Sequence, residues 1–270
     1  MAIPKIIHYC WFGRGEKPDL AKKCIESWKK YCGDYVFKEW NEDNFDINSN
    51  EYVKQAYEAR KFAFVTDYVR LYAIYTEGGV YMDTDVEVLK PIEEFLKHGA
   101  FSSFENNNMI PTGIMAGEKG NAWIKDLLDE YVDLRFIDEK GNMDLTTNVT
   151  RITNLTHEKY GLELKSSYQE LKNGIVTIYP YEYFCPKDWS TGEIHLTDNT
   201  YTIHHFSGSW HTDEEKKEAE IYRSKLKKYI AKYSDEELAR KKLNRDEIRK
   251  FYLLHPLKAI KRIIEKMKGK

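Results

Sequence analysis

The chain has 270 residues, enough for one large domain or for a domain with an appendage. Apolar residues make up 41% and charged residues 32%, which allows a sizeable core beneath a well-charged surface. The net charge of −2 argues against nucleic-acid binding through bulk electrostatics. The four cysteines, at 10, 24, 32 and 185, form no C-x-x-C pair, so neither a zinc ribbon nor a redox dithiol is indicated. No stretch approaches 18 apolar residues and the N-terminus has no long apolar signal region, so the chain reads as a reduced, cytoplasmic protein. Twenty tyrosines and six tryptophans suit sugar or base sites, which need a flat face with a polar tip; core packing accounts for them equally well.

In chain order, Pro4–Trp11 is apolar and β-rich and breaks at Phe12-Gly13-Arg14-Gly15, a first strand followed by a glycine-bearing loop. Open α/β sheets place ligands at such strand ends. Residues 18–32 repeat Leu20, Cys24, Trp28 and Tyr31 at helical spacing behind a proline, and Asp34–Trp40 alternates as a second strand. Residues 51–77 carry the longest helical signal, closed by the Gly78-Gly79 pair. Val80-Tyr81-Met82 then forms a short buried strand, and Val86–Leu89 follows. A short helix is expected over Ile92–His98 and a strand over Gly99–Phe104. Residues 105–120 form a polar site-lining loop or a strand between loops. A helix is expected over Trp123–Phe136 and another running to Tyr160. Strands are expected over Gly174–Pro180 and Tyr201–Phe206. After Trp210 the composition changes: residues 213–270 read as charged helix, giving a catalytic unit over 1–212 and an extension over 213–270.

The chemistry concentrates in Gly78-Gly79-Val80-Tyr81-Met82-Asp83-Thr84-Asp85. An apolar strand ends in two carboxylates one residue apart. If strand pairing continued through them, both would point to one face. Like charges that close repel and lose hydration, and a divalent cation is the simplest remedy, since carboxylate oxygens suit Mg²⁺ and Mn²⁺. The plain alternative is a strand ending in a solvated acidic turn.

The string Ala63-Phe64-Val65-Thr66-Asp67-Tyr68-Val69-Arg70-Leu71-Tyr72, then Glu77 through Asp85, resembles the sugar-binding region of DXD-motif glycosyltransferases. The nearest family is the OCH1-like and capsular-polysaccharide glycosyltransferases, family 32, related to the large clostridial glucosylating toxins. Ile3–His8 with Trp11 and Gly13 is similar to that family's first strand, and His205-x-x-Gly208 with Trp210 to a late metal-binding segment. The resemblance implies a GT-A fold: one α/β domain with a mixed central sheet flanked by helices. It also implies a nucleotide-sugar donor, a saccharide or lipid-linked acceptor, and retention of anomeric configuration in surface polysaccharide synthesis. UDP-hexose is the first expectation for the donor, with GDP-mannose open.

Carried over by residue, Asp83 would face the ribose and a metal-bound water, Asp85 would bind the metal, and His205 would be the third ligand. Imidazole with carboxylates suits Mn²⁺ better than Mg²⁺. The adjacent His204 lies on the opposite strand face, so one of the two is the ligand, and the x-x-Gly spacing favours His205. Trp11 would stack on the base and Tyr81 would line the nucleotide pocket. Asp67 and Arg70 would contact the donor sugar, with Arg70 also near the diphosphate; the alternative is an ordinary i,i+3 ion pair. Ser209 and Trp210 would close over the diphosphate. Thr147 and Asn148 stand where relatives carry a Thr-Gly-Pro-like turn, a departure from the family pattern.

Residues 251–270 carry an apolar stripe (Phe251, Leu254, Leu257, Ile260, Ile263, Ile264, Met267) among lysines, which suits either an anionic membrane surface or packing on the domain itself. Two rival functions remain. A haloacid-dehalogenase-like phosphohydrolase also uses Asp-x-Asp, but Glu87 stands where Thr or Val is expected. A non-catalytic sugar-nucleotide or calcium module is disfavoured by the absence of an Asp-x-Asp-x-Asn-Gly run.

Overall fold

The computed structural model describes residues 2–105, 108–208 and 213–254. Two compact units are present among them. One comprises residues up to 189 and 193–208; the other comprises 190–192 and the C-terminal helices.

The larger unit is built on β1 (Ile6–Cys10), α1 (Asp19–Tyr31), β2 (Val36–Trp40), α2 (Glu51–Glu58), α3 (Phe62–Glu77), β3 (Gly79–Met82) and β4 (Val86–Val88). These are followed by β5 (Ala100–Ser103), β6 (Ile114–Gly117), α4 (Ala122–Asp129), α5 (Asn148–Tyr160), β7 (Gln169–Leu171), β8 (Val176–Tyr179), α6 (Tyr181–Phe184) and β9 (Thr202–His204). Seven strands form one sheet in the order β2-β1-β3-β6-β5-β8-β7, and β4 pairs with β9 in a separate ribbon. β1 is parallel to both β2 and β3, whereas β6 is antiparallel to both β3 and β5. The sheet is therefore mixed, as expected of an α/β fold with helices on both faces.

Strand alternation decides the two faces. Val80 and Met82 join Ile7, Phe101, Ile114 and Ala116 in a core with Trp28, Val86 and Val88. Tyr81, one residue out of phase, joins Cys10, Met115 and the buried residues of α3, α4 and α5. Seven of the sixteen residues of α3 are buried, among them the charged Asp67 and Arg70. A solvent-side helix would have carried those charges outward.

Two expectations are revised. The helix expected over 51–77 is two helices: Arg60 adopts φ of +57° and turns the chain between α2 and α3. No Gly or Pro marks that break. The helix expected to reach Phe136 ends at Asp129. Of the two alternatives for 105–120, the strand between loops is the one found: it is β6, four buried residues at the centre of the sheet.

The smaller unit is a helical hairpin, α7 (Asp213–Tyr233) and α8 (Glu236–Leu254), rather than one continuous helix. Ser234 sits at φ of +53° and the Asp235 carboxylate accepts from the Leu238 amide, so the second helix starts afresh. Leu226, Ala239 and Leu243 are buried, and Lys225–Glu247 and Tyr229–Asp246 link the two helices at 2.9 Å each. Among the described residues no helix is long and apolar enough to cross a membrane. The apolar stripe from Leu257 onward lies outside the described residues.

The glycine pair entering β3 is held from beneath. His8, fully buried, meets the Gly78 carbonyl through Nε2 at 2.8 Å and accepts from the Trp40 indole N–H through Nδ1 at 3.1 Å. With Nδ1 accepting, Nε2 is the donor, and burial lowers the ring's pKa, keeping it neutral. Gly79 has φ of +116°, and a Cβ there would lie 2.7 Å from the Ile6 carbonyl oxygen. Gly79→Ala is therefore expected to cost about 1–3 kcal/mol of stability, read as a lowered midpoint in urea unfolding. An unchanged midpoint would show that the corner relaxes freely.

Candidate functional site

β1 and β3 are parallel, so Trp11 and Asp83 emerge at the same edge of the sheet. β3 ends at Met82, and Asp83–Asp85 form a turn closed by the Val86 amide donating to the Asp83 carbonyl at 2.9 Å. The two carboxylates thus project from a turn rather than from a continued strand. Trp28 and Ser27 of α1 secure the far side: the indole N–H donates to the Val86 carbonyl (2.6 Å) and the Val88 amide donates to Ser27 Oγ (2.9 Å).

Register between β4 and β9 supplies the third group. Val86 lies opposite His204, so the histidine arrives one position past Asp85. His204 Nε2 is 3.3 Å from Asp85 Oδ1 and 3.9 Å from Asp83 Oδ2. One ligand atom from each of Asp83, Asp85 and His204 lies within 4.8 Å of the others, a spacing able to hold a metal ion. His204 Nδ1 is buried without a hydrogen-bond partner. Two carboxylates and an imidazole fit Mn²⁺, and Mg²⁺ less well.

His205, expected as the ligand, is turned away. Its Nε2 bonds Glu87 Oε2 at 2.8 Å, its amide donates to the Asp85 carbonyl, and Lys187 Nζ donates to its carbonyl at 2.6 Å. Motif spacing pointed to the wrong one of two adjacent histidines; the β9 register selects the other. Gly113 makes room for the choice, since a Cβ there would lie 2.7 Å from His204 Nδ1.

Electrostatics bind the cluster tightly. Burial opposes the Asp85 charge, but His204 and the Ser207 amide, 2.7 Å from Oδ2, hold its carboxyl well below the ordinary range. Burial likewise opposes a charged His204, and Asp85 outweighs it, raising the imidazole well above its usual value.

Asp67 and Arg70 do not present themselves to a sugar as expected. Arg70 is 4% exposed. Its Nη1 donates to the Thr112 carbonyl at 2.6 Å and lies 3.2 Å from Asp83 Oδ1; its Nη2 reaches Asp67 and its Nε the Thr66 carbonyl, both at 3.2 Å. The guanidinium is committed to the protein, so it positions Asp83. Asp67, 8% exposed, accepts from Arg70 and from Asn148 Nδ2 at 3.3 Å. Tyr81, 1% exposed, has no face for a nucleotide; its hydroxyl donates to Asp83 Oδ1 at 2.8 Å and its ring lies under Arg70 at 4.6 Å. Trp11 is half-buried at the strand end, its indole N–H donating to the Gly15 carbonyl at 2.6 Å. Ser209 and Trp210 lie outside the described residues.

Sequence reasoning missed Thr112, Gly113 and Asn148 as partners of the site. The Thr147-Asn148 pair opens α5, with Thr147 as its cap and Asn148 reaching Asp67. A Thr-Gly pair does stand beside the acidic turn, at 112–113, where the preceding Pro111 and the polar run around it hid a strand start.

Residues 18–102, from α1 through β5, match the family model described as a glycosyltransferase sugar-binding region containing a DXD motif. Asp83-Thr84-Asp85, a D-x-D sequence, lies within the matched residues. The chain is also 26% identical over 131 residues to inositol phosphoceramide mannosyltransferase 3 of Schizosaccharomyces pombe, a match covering 46% of this chain and 35% of the relative. It thus spans about a third of the length of that relative. Among solved structures it is similar to a glycosyltransferase involved in glycosylation of the major capsid of PBCV-1 (15% identity, 80% of this chain and 100% of that one, TM-score 0.43). It is also similar to the galactosyltransferase LgtC (14%, 81% and 94%, TM-score 0.41) and the PaToxG glycosyltransferase (18%, 58% and 69%, TM-score 0.45).

Two outcomes follow from the geometry. His204→Ala should weaken Mn²⁺ binding roughly tenfold or more, the scale on which even outer partners of metal ligands act, whereas His205→Ala should change it less; calorimetric titration separates them, and the reverse order would restore His205 as the ligand. Burial pushes the Asp67 carboxyl up to about 7, against the pull of Arg70. Its folded value exceeds its unfolded one, so its contribution to stability is complete below the unfolded value and is lost as pH rises through about 7. Asp67→Asn should therefore flatten the fall in melting temperature from about pH 5 to about pH 8, since Arg70 keeps Asp83 as its partner. A variant that melts lower at every pH would show instead that the Asp67 charge is needed.

Proposed function

We propose that this chain is a metal-dependent glycosyltransferase that moves a hexose from a nucleotide-sugar to a saccharide or lipid-linked saccharide acceptor in surface polysaccharide synthesis. The observation that carries the reading is the convergence of Asp83, Asp85 and His204 within 4.8 Å at a sheet edge, the two aspartates lying inside the matched DXD sugar-binding region. A divalent cation bound there would supply Lewis-acid stabilisation to the departing diphosphate.

The chain's own residues divide the remaining work. Asp83 is held by the Tyr81 hydroxyl and the Arg70 guanidinium, so its free oxygen is fixed before any donor arrives. Asp85 is fixed by the Ser207 amide and His204. Trp11, half-buried on the loop after β1, offers an indole face for the base, and its N–H is already satisfied by Gly15, so only stacking is left to it. Arg70 and Asp67 act as the rigid support of the acidic turn. The reaction is read as retaining: the acceptor hydroxyl attacks on the side from which the nucleotide leaves, its oxygen bonding the anomeric carbon as the carbon–phosphate oxygen bond breaks. Its proton passes to the departing phosphate oxygen.

A UDP-hexose donor is our first reading. GDP-mannose is the second, favoured by the mannosyltransferase name of the fission-yeast relative. The region after Trp210 is read as a helical extension of a cytoplasmic enzyme, its basic amphipathic end packing on the domain itself or lying on the inner membrane face.

A thermal-shift panel of UDP- and GDP-sugars with Mn²⁺ tests the assignment. One class should raise the melting temperature only when metal is present, and Asp85→Ala should abolish both that shift and transfer. Near-normal transfer by Asp85→Ala would reject the cluster as the reacting centre. Trp11→Ala should weaken nucleotide binding by about 1–3 kcal/mol, and an unchanged affinity would return Trp11 to a packing role.

A further inference from the structure

With Arg70 spent on the protein and Asp67 turned to Arg70 and Asn148, the group that reads the donor hexose must stand elsewhere. β3 and β5 are both antiparallel to β6, so they run in the same direction and end at the same edge of the sheet. The registers place them level. Met82 lies opposite Ile114, and continuing from Phe101 opposite Ala116 brings Ser103 to that same Ile114. Asp83 and Glu105 therefore leave the sheet one strand apart on either side of Thr112–Gly113, with strand axes separated by roughly 10 Å.

Phe101 of β5 packs in the core that holds Val86 and Val88 of β4, the partner of β9, and Glu105 follows two residues past the end of β5. The Glu105 carboxyl is close enough to feel both the His204 charge and the Cys185 thiol. Burial raises its pKa. Its backbone is pinned, since its amide donates to the Met109 carbonyl at 2.9 Å. Yet the carboxylate makes no hydrogen bond or ion pair with any described residue, unlike Asp67, Asp83, Asp85 and Glu87, each of which is held by at least one partner. The Glu105 oxygens are not closed off from solvent, so hydroxyl groups of a bound ligand can reach the carboxylate and donate to it.

Resting on the glycosyltransferase reading, we propose that Glu105 binds the transferred sugar, its carboxylate accepting hydrogen bonds from ring hydroxyls of a hexose whose diphosphate sits at Asp83, Asp85 and His204. It reads the sugar and leaves the nucleotide untouched, and so sets which hexose is accepted.

The test separates sugar from nucleotide. Dissociation constants of UDP, UDP-glucose, UDP-galactose, GDP and GDP-mannose are measured with Mn²⁺ by calorimetry for wild type, Glu105→Ala and Glu105→Gln. For the preferred donor, Glu105→Ala should raise the ratio of nucleotide-sugar to bare-nucleotide dissociation constants about 10- to 100-fold, the range for a lost bond to a charged group. The bare nucleotide should bind as in wild type. Glu105→Gln, which keeps the shape without the charge, should raise the ratio about threefold or more, and it stands alone if the alanine variant fails to fold. An unchanged ratio in the folded variant overturns the proposal, and so does an equal loss of sugar and bare nucleotide, which would mean that Glu105 acts through the acidic cluster. If wild type binds neither nucleotide, the glycosyltransferase reading falls first and this one with it.

Discussion

The site depends on one buried guanidinium. Arg70 rises from α3 and touches three separate parts of the chain: Asp67 on its own helix, Asp83 after β3, and the Thr112 carbonyl before β6. Burial works against its charge, and the Asp83 and Asp67 carboxylates more than compensate, with the Tyr81 ring face against the guanidinium, so the cation is held firmly in the interior. Such a buried charge is tolerable only when its donors are satisfied, and here they are. The result is rigidity where a turn would otherwise be free to move. The helix fixes the acidic turn, and the same guanidinium fixes the strand entry that lies between Asp83 and Glu105.

On the opposite side the constraint is β-sheet register rather than charge. α1 grips β4 through Trp28 and Ser27, β4 pairs with β9, and that pairing sets His204 beside Asp85. Gly113 leaves space for the ring. Two mechanically separate supports, a buried ion network under the sheet and a paired ribbon beside it, therefore meet at three ligand atoms. Neither alone would hold them together.

Much of this was legible in the sequence, for physical reasons that also mark its limits. The Gly78-Gly79 corner, the apolar strand and the acidic pair are local signals, and the strands and helices around them follow from periodicities of two and 3.6. β6 stayed open between loop and strand because Ile114–Gly117 is four residues long and enters from the polar, proline-bearing 105–113 run. The break at Arg60 was hidden because a non-glycine residue takes the left-handed conformation there. Asp67 and Arg70 were recognised as unusual in an apolar helix, but whether such charges face a ligand or each other depends on burial that only packing decides. The choice between His204 and His205 was a question of register, and β4, the strand that answers it, pairs with β9 across more than a hundred residues of sequence.

The charge balance gives the arrangement its chemical direction. Asp67, Asp83 and Asp85 face Arg70 and His204, and the two cations are not equivalent. Arg70 is permanently charged and enclosed, so Asp67 and Asp83 remain partly neutralised whatever binds. Asp85 is compensated by the His204 imidazole beside it. A divalent ion held by Asp83, Asp85 and His204 would supply that positive charge in place of the proton, with the imidazole serving as a ligand. The side facing the interior is thus permanently compensated, while the side facing the sheet edge is compensated exchangeably. That asymmetry is what a cation site must have if it is to fill and empty without disturbing the fold that carries it.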